Sequence, residues 1–221
     1  MLVKNRRRIC IFLKIAVVIA SFGGVFLSLV FAKRDGYSHW SKRLLYFTAQ
    51  SNLWVGDIFL ALLCFPKHKE KLYLFKYIFT VSITVTGLVF CGLLAPFSDE
   101  SYHPWTSPNL LTHVLSPIFA ISDFFIDERY SLSKKQRLCV LLPPLFYFAE
   151  TLFLEFFRID FGRGVGYPYF FLCYDSPAGV FGFSANPPFF MGTFYWVAIF
   201  SLLTLGLGGL YARKREKRHT I

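Results

Sequence analysis

Two residue types that can act together in acyl transfer, a threonine and a histidine, lie inside long apolar segments of this sequence. Thr48 opens a polar cluster at positions 48–52 within the apolar run 44–65, and His113 lies in the apolar run 109–126. An imidazole can take the proton of a hydroxyl that attacks a carbonyl and later return that proton to the leaving group. The pair therefore predicts ester hydrolysis or acyl transfer, with Thr48 as nucleophile and His113 as base.

Helical spacing suggests which neighbours share a face with each of these residues. Thr48, Ser51 and Asn52 stand at i, i+3 and i+4 and form one stripe of a helix. The stripe through His113 carries small or polar residues: Ser116, Pro117 and Ala120. Polar groups within a membrane turn toward the protein interior, so both stripes are expected to face inward and to leave room for a cavity.

Further polar residues are candidates for supporting roles. The amides of Gln50 and Asn52, or main-chain N–H groups, are expected to stabilise an oxyanion. Ser51 is a third possible support within the cluster. Glu155 is the acid best placed to orient His113, unless it only pairs with Arg158. The third member of a catalytic triad therefore stays open.

Two other interpretations compete with hydrolysis. Hydroxyl side chains in membrane helices often bond the main chain four residues back, and a lone histidine often bridges two helices. Physical chemistry alone favours this structural role for Thr48 and His113. Alternatively, the intramembrane carboxylates Asp57, Asp123 and Glu150 suit an ion or small-molecule transporter, although no internal repeat supports that class.

The composition identifies the elements that must position these residues. Hydrophobic residues make up 55% of the 221 positions, aromatic residues 20% and charged residues only 17%. Such a chain is too apolar for an ordinary soluble domain and is typical of an integral membrane protein. Six runs are long enough to cross a bilayer as helices of one all-α bundle: 9–32, 44–65, 72–95, 109–126, 138–157 and 189–211.

The distribution of Lys and Arg predicts the orientation of this bundle. Basic residues concentrate at the amino terminus, in the second and fourth loops and in the tail, and are scarce in the other loops. The positive-inside rule therefore predicts that both termini are cytoplasmic, in a multi-pass protein of the cell membrane. Thr48 and His113 then lie near the outer surface, each roughly 6 Å below the start of its helix at a rise of about 1.5 Å per residue.

The net charge and the remaining motifs narrow the expected partners. The charge of +11 fits contact with anionic lipid next to membrane helices better than nucleic-acid binding. Lys14 and Lys76 are expected to reach toward the cytoplasmic surface by snorkelling. No metal-ligand spacing occurs and ester hydrolysis needs no cofactor, so neither a metal ion nor a cofactor is expected.

The aromatic loop 158–188 is expected to fold over the Thr48 region as a lid, because loops of this length tend to be functional.

Three short motifs resemble one known family. They are Leu45-Tyr46-Phe47-Thr48, His113 followed by Pro117, and Tyr167-Pro168-Tyr169. In order and spacing they resemble the androgen-induced-gene and androgen-dependent TFPI-regulating proteins, which are six-pass membrane proteins. The residues at 49–52 differ from those of the animal members and look like the bacterial branch. The spacing from His113 to Pro117 is also one residue shorter than in the animal members.

The resemblance implies a specific chemistry. Animal members are threonine hydrolases that cleave fatty acid esters of hydroxy fatty acids, with one threonine and one histidine. By motif, the resemblance implies that Thr48 is the nucleophile and His113 the base. The expected protein is therefore a lipid-ester hydrolase of the membrane, with a lipid-ester substrate.

Overall fold

The computed structural model describes residues 2–96, 103–128 and 130–216 of the chain, and side chains between positions 5 and 212 of those ranges. Within them the regular secondary structure is helical, apart from one isolated bridge between Phe183 and Met191. Six helices are long and apolar enough to cross a membrane, as expected. They are α1 (Asn5–Phe31), α2 (Phe47–Cys64), α3 (Pro66–Leu94), α4 (Ser107–Ile126), α5 (Lys134–Phe156) and α6 (Thr193–Ala212).

The first four helices form the best-packed part of the bundle. Val17 of α1, Phe59 of α2, Ile83 of α3 and Ala120 of α4 meet in one apolar cluster. The fifth and sixth helices are the least buried of the six. Their exposed aromatic and aliphatic side chains suit lipid contact better than water.

A fully buried ionic cluster ties α1, α3 and the end of α4 together. The ammonium of Lys14 lies 2.7 Å from a carboxylate oxygen of Asp123 and 2.7 Å from one of Asp127. That of Lys76 lies 2.5 Å and 2.9 Å from the same two carboxylates. All four residues are buried. The expectation that Lys14 and Lys76 snorkel to the surface was therefore wrong, because two carboxylates inside the bundle neutralise them.

Two wide helical turns lie where α3 ends and α4 begins. Residues Phe90–Leu94 and Leu111–Leu115 are both π-helical. In α4 the cause is local, since Pro117 has no N–H to donate to the main-chain carbonyl of His113. Such π turns are frequent at functional sites. Both turns lie at the same end of the bundle as Thr48, and we call this region the Thr48 end.

Two connecting segments cover the Thr48 end. The segment 32–46 joins α1 to α2, and the segment 157–192 joins α5 to α6. The main-chain N–H of Ser38 donates to the carbonyl of Gly162 at 2.7 Å, and the hydroxyl of Tyr46 donates to that of Phe161 at 3.3 Å. A Cβ at Gly162, whose φ is +104°, would stand 2.7 Å from Tyr37. The two segments are therefore packed tightly together.

Candidate functional site

Thr48 is the second residue of α2, later than the sequence pattern suggested. A short 3₁₀ helix, Trp40–Leu45, precedes α2, and Tyr46 is the N-cap of α2. The expected start at position 44 was therefore early, and Thr48 lies in the first turn rather than one turn inside. Main-chain N–H groups in a first turn have no partner within their helix. That of Thr48 donates to the hydroxyl of Tyr169 at 3.4 Å.

Tyr169 also meets the Thr48 side chain. The two hydroxyl oxygens are 3.3 Å apart, and Tyr169 is held by an edge-to-face contact with Tyr46 and by stacking on Phe171. Tyr169 belongs to the covering segment 157–192. The motif at 167–169 was the only signal in the sequence for this contact, and it did not indicate which residue Tyr169 would touch.

His113 is buried in the π turn of α4, with one ring nitrogen available. Its ring stacks on Phe90 at 3.9 Å between centroids with an interplanar angle of 10°. Nδ1 of the ring is buried without a partner among the described residues. A neutral imidazole that donates through Nε2 carries its lone pair on Nδ1. His113 therefore offers an unoccupied proton acceptor.

Close helix packing holds His113 in this position. A Cβ at Gly87 of α3 would stand 2.9 Å from the main-chain carbonyl oxygen of His113. Only glycine permits α3 and α4 to approach this closely, as small residues do in membrane bundles. The position of the imidazole is therefore determined by helix packing and by its stacking on Phe90.

Two cavities meet at Thr48 and His113. The first is a narrow cleft of about 80 Å³ whose wall is mainly aromatic and aliphatic, with Val197 and Phe200 from α6. The second has a volume of about 490 Å³ and is lined in part by Arg43 and Arg163. Four residues belong to the walls of both cavities: Thr48, Leu94, His113 and Tyr169.

The threonine and the histidine share these walls without a direct bond. In the described part of the chain, the Thr48 hydroxyl bonds Tyr169 and no donor reaches Nδ1 of His113. Contacts between a nucleophile and its base are often long in an empty site and shorten when substrate binds. The structure therefore gives both residues a place in the walls of the same two cavities, without a direct contact between them.

The rest of the polar cluster is structural. The hydroxyl of Ser51 lies 2.8 Å from that of Thr86 on α3. The amide of Asn52 donates to the carbonyl of Thr48 at 2.8 Å and to that of Thr112 at 3.1 Å. Among the described residues that line the cavities, neither Ser51 nor Asn52 occurs. The oxyanion role expected for Asn52 therefore lacks support, and both residues instead join α2 to the helices that hold His113.

The other two support candidates lie elsewhere. The amide of Gln50 donates to the Glu150 carboxylate at 2.8 Å, on the side of α2 that faces α5. Glu155 is half buried near the end of α5, next to Gly166. Neither Gln50 nor Glu155 is among the described residues that line the cavities. The structure therefore does not place Glu155 where it would orient His113.

The carboxylates considered for transport do not form a common site. Asp123 is bound in the ionic cluster with two lysines. Glu150 bonds Gln50, and Asp57 is exposed on the surface of α2. Because these three groups have three different surroundings, they offer no shared site for a cation.

Two tyrosines of the larger cavity remain neutral. Burial, followed by the neighbouring Tyr37 phenol, raises the pKa of Tyr46 far above its ordinary value. Burial likewise raises the pKa of Tyr167. Both phenols line the larger cavity, so they are hydrogen-bonding groups rather than charges at neutral pH.

Replacing Asn52 by alanine is expected to lower the free energy of unfolding by about 1–3 kcal/mol, because the buried Thr112 carbonyl loses a donor. The melting temperature in detergent measures this loss. Asn186→Ala is the matched control, since Asn186 is exposed in the segment 157–192. Equal melting temperatures for the two variants would contradict the bridging role of Asn52.

Comparison with protein families, curated proteins and solved structures finds no match for this chain. The function must therefore be argued from the chemistry of the site.

Proposed function

We propose that this chain is an integral membrane lipid-ester hydrolase in which Thr48 is the nucleophile and His113 the base. One observation carries the proposal: Thr48 and His113, whose Nδ1 has no partner among the described residues, line the same two cavities, one mainly apolar and the other partly polar. A lipid ester has the same division, with an acyl chain on one side of the carbonyl and a polar group on the other. The likeness to threonine hydrolases in three short motifs supports the same two residues.

The chemistry proceeds through an acyl-enzyme. His113 takes the proton of the Thr48 hydroxyl as its oxygen forms a bond to the ester carbonyl carbon, and the carbonyl electron pair moves to the oxygen. When the tetrahedral species collapses, the C–O bond to the alcohol breaks and the alcohol leaves with the proton held by His113. Water then attacks the acyl-threonine in the same way, and the fatty acid and free Thr48 are released.

Two donors next to the nucleophile suit the oxyanion. The main-chain N–H of Thr48 is free of the helix ladder, and the hydroxyl of Tyr169 lies beside it. The amino-terminal end of α2 adds a positive field, because the peptide dipoles of a helix sum there. Fixed donors of this kind are usually the largest contribution to stabilising such an intermediate. This assignment replaces the expected amides of Gln50 and Asn52.

The surroundings of the cleft fit a substrate that arrives from the bilayer. Its wall includes Pro144 and Phe148 of α5 together with Val197 and Phe200 of α6, the two least buried helices. An acyl chain can thus pass between α5 and α6 without crossing water. The Lys and Arg distribution supports a topology in which both termini are cytoplasmic. The Thr48 end would then face the outer leaflet, with the segment 157–192 as its lid.

Reaction with a fluorophosphonate lipid analogue, followed by peptide mass mapping, tests the nucleophile. The purified wild-type protein is expected to carry one adduct, on Thr48, because His113 activates only that hydroxyl. Ser51→Ala is the matched control and should keep the adduct, since the Ser51 hydroxyl bonds Thr86 outside the cavities. An adduct on Ser51 or Tyr169, or no adduct on a folded protein, would contradict the proposal.

A further inference from the structure

The larger cavity has a basic side formed by the two covering segments. Arg43 and Arg163 both line it, one from each segment. Their guanidinium carbons lie 4.1 Å and 5.0 Å from the centre of the Tyr37 ring, so both groups stack on one buried phenol. Contact with the face of an aromatic ring fixes the orientation of the planar guanidinium.

The positive charge here exceeds the negative charge. Arg43 and the exposed Arg34 both pair with the carboxylate of Asp35. Arg163 donates instead to the main-chain carbonyl of Asp35, at 3.1 Å and 2.9 Å, and has no carboxylate partner among the described residues. Three guanidinium groups therefore surround one carboxylate.

Two further observations indicate that this charge faces a ligand. The Nε atom of Arg43 is buried and has no hydrogen-bond partner among the described residues. No aspartate or glutamate occurs among the described residues that line this cavity. A buried donor without a partner is costly, and a carboxylate or phosphate oxygen is the acceptor that an arginine fork binds best.

We propose that Arg43 and Arg163 bind an anionic group, a carboxylate or a phosphate, on the polar part of an amphiphilic lipid. The assignment of the bond that is cleaved rests on the proposed function, whereas the binding itself does not. The anion belongs to a lipid rather than to a free ion, because the basic cavity shares wall residues, Thr48 and His113 among them, with the apolar cleft. The site therefore selects lipids that carry an anionic group over neutral lipids.

Equilibrium binding to the Thr48→Ala protein in neutral detergent tests this without cleavage. The probes are lysophosphatidylglycerol and a neutral monoacylglycerol with the same fluorescent acyl chain. The anionic probe is expected to bind about tenfold more tightly, the effect of one charge-assisted hydrogen bond. Adding Arg163→Gln should remove most of this preference and leave the affinity for the monoacylglycerol unchanged. Arg43→Gln should act in the same direction.

Arg34→Gln is the matched control, because Arg34 pairs with the same carboxylate but is not among the described residues that line the cavity. It should keep the preference. Equal affinity for the two probes, or an equal loss in Arg34→Gln, would overturn the proposal. Displacement of the anionic probe by inorganic phosphate at matched concentration would overturn the assignment to a lipid. None of these outcomes depends on whether Thr48 is a nucleophile, which fluorophosphonate mapping decides.

Discussion

His113→Ala is expected to lower the rate of lipid-ester hydrolysis by about 10²–10⁴-fold, the usual contribution of a positioned general base. Thr48→Ala should lower the rate at least as far, because no second hydroxyl in the cleft is activated. The double variant should be no slower than the worse single variant, since residues that act as a unit are not additive. Initial rates with a fluorescent fatty-acyl ester in detergent micelles measure all three.

Two controls separate catalysis from packing. Ser201 contributes another hydroxyl to the same cleft, and Ser201→Ala should keep wild-type rates. Thr48→Ser retains the hydroxyl and should keep much more activity than Thr48→Ala. Unchanged rates in His113→Ala, or equal losses in Thr48→Ser and Thr48→Ala, would contradict the dyad. The structural role that the sequence also allowed would then account for both residues.

Asp123→Leu is expected to lower the free energy of unfolding by about 3–5 kcal/mol, because Lys14 and Lys76 would keep two buried charges with only one carboxylate. At about 2–4 °C per kcal/mol for a chain of this size, the melting temperature should fall by about 6–20 °C. Thermal unfolding followed by size-exclusion chromatography measures the change. A fall of this size would show that the ionic cluster supports the fold.

Two further variants test whether the loss of stability comes from the unbalanced charge. Asp57→Asn should leave the melting temperature unchanged, because Asp57 is exposed and has no ion-pair partner among the described residues. Lys76→Met combined with Asp123→Leu should be more stable than Asp123→Leu alone, since one lysine and one aspartate again balance. A double variant as unstable as the single one would show that the cluster acts through packing rather than through charge.

Much of the site was predictable from residue type and helical period. The cost of polar groups in a membrane indicates Thr48 and His113 as candidates, and the structure has both in the walls of the same two cavities. The stripes with Ser51, Asn52 and Ser116 are buried, as expected. The roles of Gln50, Asn52 and Glu155 were not predictable. Helical periodicity predicts which face of a helix a residue lies on, but not which side chain of another element contacts it.

The sequence by itself determined the number of helices, their order and their buried faces. Runs of apolar residues decide these features locally, since each run must satisfy its own main chain in lipid. Only the tertiary structure decided which side chains meet: Thr48 with Tyr169, Lys14 with Asp123, and Arg43 with Arg163 around Tyr37. These partners are separated by up to 121 positions, and contacts at such separation depend on how all six helices and their covering segments pack.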